Sequence, residues 1–142
     1  MQLLTRAIFS QLTAAEYTAA GVTGPNTFKT NMGSRIFLLT APSSSALPLA
    51  TFTMSDPVTD HFFGGKRKQT ASFVVSIFHK AEVGADVMLG FEANLFSLLD
   101  RQSLTVANHD RGFVRNLTRG TPELDGEFIR IDSTFEIQAF SS

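Results

Sequence analysis

Residues 127–140 read EFIRIDSTFEIQAF, and this stretch decides the fold. Its odd positions are Ile129, Ile131, Ser133, Phe135, Ile137 and Ala139, and its even positions include Arg130, Asp132, Thr134, Glu136 and Gln138. A period of two is the signature of a β-strand with one buried and one polar face. Fourteen residues of unbroken alternation predict a long strand that closes the domain.

Working back from it, Gly120, Pro122 and Gly126 punctuate a turn region, and Gly112–Thr118 predicts another strand. Leu104–Val106 predicts a short extended piece. Val83–Leu99 predicts a helix, with Val87, Phe91, Leu95 and Leu98 at helical spacing and Met88 and Leu99 widening the stripe. Thr70–His79 (TASFVVSIFH) predicts a strand with Phe73, Val75 and Ile77 on one face and Val74 and Phe78 on the other. Apolar residues on both faces predict a central strand covered on both sides. Arg35–Thr40 and Leu49–Met54 predict two further strands, separated by the proline-bounded loop APSSSALP (Ala41–Pro48). Gln2–Ala15 predicts a helix on the spacing of Leu4, Ile8 and Leu12, ended by Gly21 and Gly24-Pro25-Asn26 in a loop. Residues 56–69 interrupt the strand pattern with Pro57 and paired glycines and predict a long β-hairpin arm. The fold expected is α+β over a single domain, residues 1–142. It has a mostly antiparallel sheet of about four to five strands and two helices packed on one face.

Composition bounds the function. The chain has 142 residues, a formal net charge of −1, no cysteine, and 14 phenylalanines against one tyrosine and no tryptophan. Phenylalanine rings fill a core without needing hydrogen-bond partners. The charge balance lacks the basic excess of a dedicated nucleic-acid binder, and the lack of cysteine excludes disulfides and thiolate metal sites. No apolar run is long enough to span a bilayer, and no secretory signal is read at the start of the chain.

Catalytic patterns fare poorly. Asp60, His61, His109 and Asp110 are the nearest approach to a metal or acid–base set, but no fixed spacing links them. Gly64-Gly65-Lys66 lacks the spacing of a phosphate loop. Asp132 and Glu136 share a strand face with Arg130, so a solvated or interface charge pattern accounts for them. No cofactor, metal or catalytic residue is assigned, and the reading is non-enzymatic. The arm carries the local feature that calls for a partner: Phe62 and Phe63 stand beside two glycines, followed by Lys66, Arg67 and Lys68. Two adjacent rings in a loop are covered either by the protein's own core or by a neighbour, and three consecutive cations fit an acidic surface or phosphates.

Four parts of the chain together resemble the tail terminator, or tail completion, proteins of long-tailed bacteriophages. They are the helix LLTRAIFSQL, the strand–loop–strand RIFLLTAPSSSALPLATF, the strand-to-helix unit TASFVVSIFHKAEVGADVMLGFEANLFSLLD with Gln102-Ser103-Leu104 after it, and the final pair GFVRNLTRG and DGEFIRIDSTFEIQAF. The resemblance spans most of the chain and rests on pattern and order. It implies a virion structural subunit of the tail and neck, present in host cytoplasm before assembly. Such subunits form a ring, commonly a hexamer, that caps the tail tube, ends its polymerisation and joins it to the head connector, while DNA passes through unread. Partners implied are other copies of the chain, the tail tube protein and the head–tail connector protein. In such a ring, Arg130, Asp132, Thr134, Glu136 and Gln138 would line the channel or a subunit seam, and Phe62, Phe63, Lys66, Arg67 and Lys68 would bridge subunits. Other readings are a head–tail stopper or another neck or minor tail subunit, an α+β domain holding a small ligand in an apolar pocket, and, on Lys66-Arg67-Lys68 alone, a nucleic-acid module.

Overall fold

A computed structural model describes residues 2–19 and 22–141. Helix α1 (Leu3–Thr13) forms where the four-residue spacing predicts it, and Leu4, Ile8 and Leu12 are all buried. The region expected to be a loop then makes a small antiparallel hairpin, β1 (Glu16–Ala19) with β2 (Val22–Pro25); Gly21 lies outside the described residues. A five-residue helix, α2 (Thr27–Asn31), follows and buries Phe28. The residue that organises this corner is Asn26. Its buried amide donates to the carbonyls of Leu12 (3.0 Å) and Ala14 (2.8 Å), and its Oδ1 accepts from the Lys29 N–H (3.0 Å). One side chain therefore serves the orphan carbonyls at the end of α1 and an orphan N–H at the start of α2.

Next come β3 (Ile36–Leu38), β4 (Leu49–Met54), β5 (Val58–His61), β6 (Arg67–Lys80), α3 (Ala85–Leu99), β7 (Gln102–Leu104), β8 (Arg111–Thr118), β9 (Glu123–Asp125) and β10 (Phe128–Ser141). The main sheet has eight strands in the order β3-β4-β6-β10-β8-β7, with β5 also paired to β6 and β9 to β10. The α+β class and the mostly antiparallel sheet hold; among the described residues there are three α-helices where two were expected, and the main sheet has eight strands where four to five were expected. The difference has a physical source. Strands β4 and β5 run in line along one side of β6, broken at Ser55–Pro57, and β8 and β9 run in line along β10, broken at Gly120–Pro122. Proline supplies no ladder N–H, so each row splits there. One pair departs from the antiparallel rule: β3 runs parallel to β4.

Strands β6 and β10 pair over 14 positions, from Arg67↔Ser141 to Lys80↔Phe128. On β10 every odd position from Ile129 to Ser141 is buried and every even one from Arg130 to Phe140 is half-buried, as the alternation predicts. Phe73 and Phe135 stack at 5.4 Å across the pair, on the face that α3 covers. On α3 the buried residues are Met88, Glu92, Leu95, Leu98 and Leu99; Val87, expected in the stripe, is exposed. The other face of β6 corrects a second expectation. Val74 and Phe78 are only half-buried, because among the described residues no second layer covers them. The helices share one face and leave the opposite face of the sheet open.

Candidate functional site: the arm, the open sheet face and an apolar cleft

The arm is a hairpin built by β5 and the first residues of β6, in register Val58↔Thr70 to His61↔Arg67. Gly64 and Gly65 take φ of 78° and 77°, a conformation that L side chains rarely adopt, and so make its tip. The Phe62 N–H closes the tip on the Lys66 carbonyl at 2.7 Å. Phe63 is wholly exposed at 101%, and Phe62 is 51% exposed beneath the Lys68 ammonium, 6.0 Å from its ring centre. The two rings therefore do not fold back onto the protein's own core. Lys66 is exposed, and Arg67 donates through Nε to Ser141 Oγ at 2.9 Å, which ties the tip end of the arm to the end of β10.

The open face carries the outward residues of β10. Their charges are answered locally. Arg130 donates twice to Asp132 (2.9 and 3.0 Å) and lies 3.5 Å from Asp125, while its guanidinium stacks 5.2 Å from the Phe78 ring centre. The bond to Asp132 is the main cause that raises the Arg130 pKa above the ordinary arginine value. Glu136 accepts from Arg115 (3.0 Å) and from Gln138 (3.0 Å). Thr134 pairs with Val74 on one side and Thr118 on the other. The row is thus a mixed, internally neutralised surface. In high dielectric such exposed pairs hold geometry more than they add stability.

At the far end of the open face lies a feature that the sequence reading missed. The loop after β3, the start of β4 and the β9–β10 turn enclose a cleft of about 480 Å³, lined mostly by apolar atoms of Leu39, Pro42, Leu47, Leu49, Phe78 and Phe128. Leu39 (63% exposed) and Leu124 (75%) stand exposed at this end of the sheet. A smaller hollow adjoins it through Leu47 and Phe128 and adds Lys80, Glu82 and Glu127. Leu39 at the end of RIFLL and Phe128 after Gly126 were the available signals. Neither could be joined to the other before the sheet order was known.

The histidines stay apart. His61 is exposed on the arm, whereas the His109 ring bonds the Ala107 carbonyl (2.8 Å) and Gln69 Oε1 (2.9 Å). His79 stacks on Phe91, and its Nδ1 accepts the Lys80 N–H. Burial, then Lys80 and Arg35, lower its pKa below 6.5. Among the described residues no three of His, Asp and Glu stand together as metal ligands, and none of the groups with a displaced pKa lines the cleft. No described helix is long and apolar enough to cross a membrane.

No protein-family model matches the chain, and no curated protein matches it. Among solved structures, a chain from the virion of a native gene transfer agent particle superposes with a TM-score of 0.74 at 17% identity, covering 98% of this chain and 96% of that one. A second solved chain superposes at 0.67 with 11% identity, over 96% and 93%. At these identities the likeness is one of fold, and it extends from one end of the chain to the other.

Proposed function

We propose that the chain is a non-enzymatic structural subunit of a phage-like virion, and that within the particle it acts as a tail terminator. It would form a ring, with six copies the expectation, that caps the tail tube, ends its growth and meets the head connector. The observation that carries this reading is the end-to-end fold shared with a chain of a gene transfer agent virion, together with the order of elements that resembles tail terminators. The open sheet face supports it. A half-buried surface with paired charges is suited to a subunit seam or to a channel wall along which DNA slides without being held.

Negative-stain imaging and native mass spectrometry of the purified chain, alone and with tail tube subunits, test the proposal. Rings on tube ends and tubes of limited length are expected. A chain that stays monomeric and leaves tube growth unchanged would refute it. Binding to the head connector without binding to tubes would move the assignment to a head–tail stopper.

A further inference from the structure

The two exposed apolar features lie at opposite ends of one strand pair. The arm tip emerges where β6 begins, at Arg67, and the cleft is floored by Phe78, eleven positions further along the same strand. At ~3.4 Å per residue that is about 37 Å, so a copy cannot place its own arm in its own cleft. The charges at the two ends are opposite. The hollow beside the arm tip is lined by Lys66, Arg67 and Arg111 against Asp110. The cleft and its adjoining hollow are lined by Glu82, Asp125 and Glu127 against Lys80, with Arg130 paired to Asp125 at 3.5 Å, so three carboxylates face two cations. The arm end presents rings with net positive charge, and the cleft end presents an apolar slot with net negative charge.

We infer that Phe62 and Phe63 of one copy insert into the cleft between Leu39, Leu47, Phe78 and Phe128 of a second copy, with Lys66 and Lys68 set against the acidic rim of Glu82, Asp125 and Glu127. The contact is heterologous, since each copy gives an arm at one end and receives one at the other. Such a contact closes into a ring when the rotation between copies permits. This inference rests on the ring reading and adds to it the pair of surfaces that makes the joint. Two buried phenylalanines remove about 150–250 Å² each. That is less than the roughly 800 Å² per partner of a stable interface, so the joint works with the open-face seam.

The absence of cysteine makes the test clean. Single variants Phe63→Cys and Leu39→Cys, mixed and oxidised on tail tubes, should give a covalent dimer and nothing larger. The double variant should give a ladder of higher species. Phe63→Cys paired with Val22→Cys, an exposed position on the β1–β2 hairpin, is the control. Complementation provides a second arm. A copy with Phe62→Ser and Phe63→Ser and a copy with Phe128→Glu should each fail to form rings, and their mixture should stop at a one-to-one dimer, because the joined pair has only a defective arm and a defective cleft left. Cross-linking no greater than the control, with rings intact in the Phe62→Ser, Phe63→Ser copy, would overturn the arm-in-cleft contact and leave the ring reading standing. An absence of rings in the unaltered chain would overturn both.

Discussion

At the scale of single residues, the positions that matter most are those where the chain has no room. Gly120 crosses β10 so closely that a Cβ there would stand inside the contact radius of the Asp132 carbonyl oxygen and 2.7 Å from Ile131 Cγ2. Its N–H donates to Ser133 Oγ (3.1 Å), which explains why a serine interrupts the apolar row of β10 without leaving an unmet hydroxyl. Gly120→Ala is expected to cost about 1–3 kcal/mol through overpacking against backbone that cannot yield. A urea-midpoint shift at unchanged slope measures it, and an unaltered midpoint would show that the crossing is loose. The sequence marked Gly120 only as turn punctuation. Its close approach depends on a strand a dozen residues later, so no local pattern could reveal it. Asn26 is similar: it reads as a loop residue, yet its partners lie 12 to 14 residues upstream.

At the scale of elements, an ion pair ties α3 to the residue that follows β8, beside the Asn116 N–H bond to Asp100 at the end of α3 (2.8 Å). Glu92 is buried on α3, and its carboxylate takes both Nε (2.8 Å) and Nη2 (2.6 Å) of Arg119, whose guanidinium lies 4.1 Å from the Phe96 ring centre. The bond to Glu92 is the main cause that raises the Arg119 pKa. Arg119→Met leaves a buried carboxylate without its partner, a loss of about 1–3 kcal/mol. Replacing both residues by Met is expected to cost less than Arg119→Met alone, because nothing charged then remains buried. A double-mutant cycle in urea decides it; equal losses would mean that water already serves Glu92. This pair explains the one departure from the predicted stripe of α3: Met88, Leu95, Leu98 and Leu99 are buried as expected, but Glu92 is buried with them and Val87 is exposed. Val87 fits an apolar helix face on spacing alone, but the buried face is turned toward Met88 and a carboxylate whose arginine is 27 residues away. The long periodic elements α1 and β10 were legible because their own side chains set their faces. β1, β2, α2 and β9, at three to five residues, carry too little pattern, and partners elsewhere fix them. The parallel pairing of β3 with β4 was hidden too, since their ten-residue connection is short for a parallel crossover.

At the scale of the whole molecule, the helices and the inward face of the sheet share one contiguous core that runs from Leu4 to Ala139. Tyr17 packs against it and is the one tyrosine, with no tryptophan present. Tyrosine fluorescence and far-UV circular dichroism therefore report on the β1–β2 hairpin and on the main sheet separately. Coincident unfolding curves are expected for a single cooperative domain, and two separated midpoints would contradict that. The open face, the arm and the cleft were legible to different degrees. The polar row of β10 follows from its period, the sequence left open whether the core covers the rings of the arm, and the cleft needs three distant segments brought together. The 14-position register of β6 with β10 carries one last consequence. It is a beam of fixed length with the arm tip at one end and the cleft at the other. Adding one residue within each strand would turn every inward side chain beyond the insertion outward. The beam can lengthen only by two residues at a time, in steps of about 7 Å. In an end-to-end assembly the circumference would then be quantised, and evolution could change the bore of such a particle by jumps but not by degrees.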